Sequence, residues 1–78
     1  MNASEVIVRF DHQGQITPLS FTWRGQTFHV DSTGRRWEDN QGQHFLVMVP
    51  GERIFELIFI PSEMRWYVAS PGYSHKMA

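Results

Sequence analysis

The chain has no cysteine, and only one lysine, three leucines and three alanines among its 78 residues. Without cysteine there can be neither a disulfide-stapled scaffold nor a thiolate-ligated metal site. The scarcity of leucine, alanine and lysine argues against a helical fold, because these residues favour helices. A chain of this length buries about 60 % of its surface on folding, which provides one modest core and excludes a large multi-domain enzyme.

Long apolar runs and targeting signals are also missing from the sequence. The longest apolar run, 45–49, is far too short to cross a bilayer. No basic region followed by an apolar stretch marks the N-terminus. We therefore expect no membrane association and, by default, a cytoplasmic location.

Strand-forming residues are what the sequence has in quantity. Val, Ile, Thr, Phe, Trp and Tyr together supply 26 of the 78 residues. The six glycines and Pro61 follow one another at intervals of 8 to 11 residues, and turn signals at such spacing are typical of consecutive short strands. The sequence therefore predicts a single small all-β domain.

Pairing residues across these turns predicts a first three-stranded antiparallel meander over 5–31. A two-residue loop at 24–25 would pair Phe21 with Phe28, which puts apolar and polar side chains on separate faces. A loop at 13–14 would add a strand in which Val8 faces Leu19. Pro18 removes one ladder donor from the middle strand and suggests a bulge there.

A second three-stranded meander is predicted over 43–70, after a polar linker at 32–42 and before a flexible tail at 71–78. With 51–52 as the hairpin tip, Met48 would face Phe55, and a loop at 61–64 would pair Phe59 with Trp66. Both faces of this meander are apolar, so something must cover the second one. We expect the two meanders to form a small barrel or a compact sandwich.

Glu56 is the most unusual charged residue, because it interrupts an apolar strand face. A buried carboxylate is costly unless it is paired, so Glu56 could be a ligand-binding or catalytic carboxylate. The simpler interpretation, which we favour, is an ion pair with Arg65 or Arg9, or a strand face that is partly wet.

Arginine and tryptophan residues form the other candidate site. Arg35, Arg36 and Trp37 put guanidinium groups beside an indole, as a single-strand nucleic-acid platform would. Trp23 and Arg24 could extend such a surface. The net charge of -1 speaks against it, since nucleic-acid-binding domains carry a basic excess. A solvated loop with Trp37 folded over the edge of the core is the favoured interpretation.

Histidine-based and nucleophilic chemistry has weak support. The four histidines show no metal-ligand spacing, and no nucleophile, phosphate-loop or metalloprotease motif occurs. His29 and Asp31 project to one face of a strand, but an ordinary polar outer face explains them. The sequence therefore predicts no metal, no cofactor and no catalytic residue.

The stretch 18–30, PLSFTWRGQTFHV, resembles a family of small bacterial domains of unknown function with the pattern F-x-W-R-G-x-x-Y/F-x-V. The likeness covers about residues 18–70, and this chain departs from it by an added N-terminal strand and by the insertion of Gly34. Some members of that family are attached to proteins resembling Y-family DNA polymerases. The resemblance implies an all-β fold and matches the position of Glu56, but it implies no activity.

These observations favour a non-catalytic binding module acting by protein–protein contact or self-association. The face expected to mediate self-association carries Phe45, Val47, Ile58 and Tyr67. Two alternatives stay open: a nucleic-acid-binding accessory domain, and a small-ligand or catalytic pocket around Glu56. The candidate binding residues are Trp23, Arg24, Arg35, Arg36, Trp37, Glu56 and Tyr67.

Overall fold

A computed structural model describes the backbone of residues 3–73 and the side chains of residues 3–70. Within that part of the chain there are seven strands and no helix: β1 Val6–Phe10, β2 Ile16–Trp23, β3 Gln26–His29, β4 Ser32–Glu38, β5 Gln43–Val49, β6 Arg53–Ile60 and β7 Arg65–Tyr73. They form two antiparallel sheets with the orders β1-β2-β3 and β4-β5-β6-β7. The all-β prediction is confirmed, but the second sheet has four strands instead of three, and these strands form no closed barrel.

The hairpin of β2 and β3 has the register that its two-residue loop predicts. Phe21 pairs with Phe28, and the neighbouring pairs follow in order. Arg24 and Gly25 have φ angles of 52° and 76°, the two positive values that a tight hairpin turn of this length needs. A short loop with this geometry leaves the strands no freedom to slip.

The pairing of β1 with β2 contains the bulge that Pro18 suggested. Val8 pairs with Pro18 and not with Leu19 as predicted, because the register shifts between Ile7 and Val8. The extra residue on β2 reverses the alternation of faces. Leu19 is therefore 45 % exposed, whereas Pro18 is fully buried. Phe10, at the end of β1, is 64 % exposed.

The segment 32–42, predicted to be a polar linker, forms strand β4 and the turn after it. Its polarity has a structural reason, since β4 is an edge strand of the four-stranded sheet and most of its side chains are exposed. A register shift between Thr33 and Arg36 breaks its alternation. Edge strands of soluble proteins are commonly charged and bulged in this way, which discourages pairing with other chains.

The β5–β6 hairpin is shifted by one residue from the predicted register. Val49 pairs with Arg53 across a three-residue loop, so Met48 faces Ile54 and Phe55 faces Val47. The predicted two-residue loop would have placed Pro50 in the ladder, where a proline has no N–H to donate. The predicted pairing of β6 with β7, including Phe59 with Trp66, is confirmed.

The corrected register gives the four-stranded sheet an inner face that is well buried. Phe45, Val47, Val49, Phe55 and Leu57 are at most 1 % exposed and lie in the core with Phe21 and Phe28 of the other sheet. The prediction that Phe45 and Val47 belong to a self-association face is therefore wrong. Ile58 and Tyr67 do lie on the opposite face of the sheet.

Among residues 3–70, two hydrogen bonds join the sheets at their margins. Arg36 donates a hydrogen bond of 2.8 Å from Nη1 to the carbonyl oxygen of Ile16 at the start of β2. On the other side, Ser4 forms an isolated bridge with Trp66 of β7, with a 2.9 Å hydrogen bond from the Ser4 amide. The core is thus held between the sheets by packing and by these two links.

The C-terminal prediction is only partly open to comparison. Strand β7 runs to Tyr73, so the first residues of the predicted flexible tail 71–78 continue a strand, and 74–78 lie outside the described residues. Residues 3–73 contain no helix of the length and hydropathy needed to span a membrane.

Candidate binding site on the outer face of the four-stranded sheet

The face of the four-stranded sheet that points away from the core is called here the outer face. Strand pairing arranges it in rows: Trp37, His44, Ile58 and Tyr67 form one row across all four strands, and Leu46, Glu56 and Ala69 form the next. Met48 and Ile54 continue it at one end, and Ile60 and Arg65 at the other. Its apolar side chains are half-buried, and the three-stranded sheet packs against the opposite, inner face.

A cluster of three ionisable residues, the histidine cluster, lies in the middle of this apolar face. The Nδ1 atom of His44 is 2.6 Å from Oε2 of Glu56, and its Nε2 atom is 2.9 Å from Oδ2 of Asp39. The first contact is a hydrogen bond. The second is an ion-pair contact without hydrogen-bond alignment, so Nε2 has no directed partner. His44 is only 6 % exposed, and Glu56 keeps about a quarter of its side chain accessible.

Asp39 is positioned by the turn between β4 and β5. Its Oδ1 atom accepts hydrogen bonds from the amides of Gln41 and Gly42, at 2.9 and 3.1 Å, which leaves Oδ2 directed at His44. Gly42 is required there, because a Cβ at this position would overlap the carbonyl of Phe59. The turn therefore holds Asp39 in the position that the histidine cluster needs.

The cluster favours the charged form of its histidine. Burial disfavours the imidazolium and is the largest single influence, but the hydrogen bond to Glu56 and the contact with Asp39 together outweigh it and raise the pKa of His44 above its usual 6.5. The hydrogen bond from the Gly42 amide lowers the pKa of Asp39 most, and the contact with His44 lowers it further. The two neighbouring carboxylates offset the cost of burying a charged imidazole in an apolar face.

The imidazole of His44 is closed off from a substrate. Both ring nitrogens of His44 face carboxylates, so neither is available to a substrate. No group of three His, Asp or Glu side chains in residues 3–70 is arranged to hold a metal ion. The partner of Glu56 is His44, and neither Arg65 nor Arg9 as expected from the sequence.

Trp37 covers the histidine cluster. Its indole stacks on the His44 ring with centroids 4.9 Å apart and planes 6° from parallel, and the Arg35 guanidinium lies 5.1 Å from the indole centroid. Trp37 is half-buried on the outer face, so the prediction that it folds over the edge of the core is wrong. Its contacts shield His44 from water.

Shallow apolar clefts lie on either side of the histidine cluster. One, of about 180 Å³, is lined mainly by Leu46, Met48, Ile54 and Arg35. The other, of about 280 Å³, is lined by Gln41, Ile58, Ile60, Glu63 and Tyr67. The Tyr67 hydroxyl donates a 2.7 Å hydrogen bond to Glu63, which raises the pKa of Tyr67. These clefts suit protruding apolar side chains better than an enclosed small ligand.

The residues proposed for nucleic-acid binding do not share one surface. Trp23 packs against the core rings of Phe28 and Phe55, with Arg24 lying 4.5 Å above its indole. Trp37 lies on the other side of the four-stranded sheet, and the Arg36 guanidinium is held at the carbonyl of Ile16. The motif W-R-G lines a separate cleft of about 560 Å³, together with residues 3–5.

Sequence reasoning identified Glu56, Trp37 and Tyr67 but missed Asp39, His44 and Glu63. In the predicted register, which is wrong by one residue, His44 and Glu56 would lie on opposite faces of the sheet. The signal that would have found the pair is Pro50, because a three-residue loop around it places both side chains on one face.

Comparisons with protein-family models, with curated proteins and with solved structures found no match to this chain.

Proposed function

We propose that the protein is a non-catalytic binding module that contacts other polypeptides through its outer face. The observation that carries this proposal is the half-buried apolar surface around the histidine cluster, which no strand of residues 3–73 covers. Apolar sheet faces without a covering layer are typical of interaction surfaces. The core does not need these side chains, since its buried residues all lie on the inner face of this sheet or in the other sheet.

The proposal also covers the arrangement of the two sheets, the origin of the protein and its location. The two sheets would act as one compact sandwich, supported by the Arg36 and Ser4 links at its margins. Bacterial origin and kinship with the small W-R-G family rest on the resemblance alone, and the cytoplasmic location rests on the lack of a sequence signal. A nucleic-acid function has less support, because Trp23 and Trp37 lie on different sides of a sheet.

Photo-crosslinking in cells that produce the protein tests the binding surface. A photoreactive phenylalanine analogue replaces Tyr67 on the outer face, and the matched control carries it at Thr27, an exposed position of β3 in the other sheet. We expect a discrete protein adduct from position 67 that disappears when Met48→Asp is added, and none from position 27. Equal labelling from both positions, or none from position 67, would overturn the proposal.

A further inference from the structure

The outer face carries charges of both signs. Arg35 and Arg65 are cationic, whereas Asp39, Glu56 and Glu63 are anionic, and the two sets are interspersed among the same apolar side chains. A partner with a strong charge of one sign would meet repulsion as well as attraction on such a surface. A surface that itself carries both signs is the complementary match, and here Asp39 lies beside the β4 end of the face while Arg65 lies on β7 at the other end.

The central row of this face has a geometry that fits its own reverse. Trp37 stands on β4 at one end of the row and Tyr67 on β7 at the other, with His44 and Ile58 between them. A two-fold axis along the strands, between β5 and β6, turns the row end for end. It then places Trp37 of one copy against Tyr67 of the other, and His44 against Ile58, as an isologous interface requires.

We propose that the partner of the outer face is a second copy of this chain, related by that two-fold axis. This inference rests on the proposed function and names its partner. At each end of the row the Trp37 ring of one copy would contact the Tyr67 ring of the other. Apolar side chains of each copy would fill the shallow clefts beside the histidine cluster of the other. Both copies would contribute the same residues.

The size of the face determines how strong this association can be. Four strands spaced about 4.8 Å apart and about seven residues long present a face of about 19 Å by about 23 Å. Two such faces bury about 900 Å² together, which is below the size of a standard stable interface. The dimer is therefore expected to be transient and to depend on protein concentration.

Sedimentation velocity of the purified chain measures this dependence, with a concentration series from about 10 µM to about 500 µM. We expect the mass to rise towards that of a dimer, and we expect Tyr67→Lys to remain monomeric. The matched control is Ile7→Lys, which changes a 54 % exposed apolar side chain on β1 and should dimerise like the wild type. A wild-type chain that stays monomeric throughout would overturn the proposal, as would a dimer that Tyr67→Lys leaves intact.

Single-cysteine variants test the orientation, because the natural chain has no cysteine to interfere. Mixing Trp37→Cys with Tyr67→Cys under mild oxidation should give mostly the mixed disulfide, since these positions face each other only across the axis. Circular dichroism confirms that each variant is folded. Statistical mixing of the three disulfides would overturn the two-fold arrangement.

The two proposals can fail separately. If photo-crosslinking at position 67 captures a different protein and the purified chain is monomeric, the second-copy partner is wrong and the binding module stands. If neither experiment detects contact through the outer face, both proposals are wrong.

Discussion

At the scale of single residues, His44 links the chemistry of the outer face to the stability of the fold. It lies between carboxylates from two elements, Asp39 on the turn after β4 and Glu56 on β6, and Trp37 with Arg35 cover it from β4. Replacing it would leave Glu56 partly buried without its cationic partner. A charged acceptor stripped of its partner typically costs about 1–3 kcal/mol of unfolding free energy.

The charge on His44 makes this contribution dependent on pH. Because folding raises the pKa of His44 above 6.5, the stabilisation is complete below about pH 6.5 and is lost as the pH rises through the raised value. We predict that the unfolding free energy of the wild type, measured by urea denaturation, falls as the pH rises above about 6.5. His44→Gln should be destabilised at pH 6 by about 1–3 kcal/mol and should lose this slope.

His29→Gln is the matched control for this prediction, because His29 is exposed on β3. It should retain both the stability and the pH slope of the wild type. A His44→Gln chain whose unfolding free energy keeps the same dependence on pH would show that folding does not raise the pKa of His44.

At the scale of elements, the turns decided how much of the fold could be predicted. The two-residue loop at Arg24 and Gly25 allows one register, so the β2–β3 pairing follows from the sequence. The loop at 50–52 admits two lengths, and only the missing N–H of Pro50 separates them. Strand β4 was missed because an edge strand with few apolar residues lacks the alternation that marks a strand.

The histidine cluster was beyond prediction for the same reason. Its three members come from β5, β6 and a turn, and they meet only if the β5–β6 register is known. A shift of one residue moves a side chain to the other face of a sheet, so an error at one turn conceals the site. Glu56 could still be singled out, because a carboxylate within an apolar strand is anomalous in any register.

The turn between β6 and β7 holds a residue in an unfavourable backbone conformation. Met64 has a φ of 55° and is 76 % exposed, so its side chain contributes little packing to offset the left-handed conformation. Asparagine adopts this conformation more readily than methionine. We predict that Met64→Asn stabilises the fold by about 0.5–1 kcal/mol, which raises the melting temperature by about 2–8 °C in a chain of this size.

Ser62→Asn serves as the control for this substitution, because Ser62 lies in the same turn without a positive φ. Thermal unfolding followed by circular dichroism should show no gain for it. A Met64→Asn chain that melts at or below the wild-type temperature would indicate that this turn stores no strain.

At the scale of the whole molecule, one aromatic cluster packs between the two sheets and joins them. Phe55 is fully buried, and its ring centroid lies 5.1 Å from that of Phe21, 5.2 Å from Phe28 and 5.0 Å from Trp23. It therefore connects the four-stranded sheet to the three-stranded one. A chain of this length is stable by only about 4–12 kcal/mol in total.

Removing the Phe55 ring should therefore destabilise the whole fold. We predict that Phe55→Ala lowers the unfolding free energy by about 3–5 kcal/mol, which is a large part of the total. Phe10→Ala removes an equal ring from a position that is 64 % exposed and should change it by less than about 1 kcal/mol. Urea denaturation of both variants checks the contrast, and equal stability would mean that the cluster around Phe55 does not hold the two sheets together.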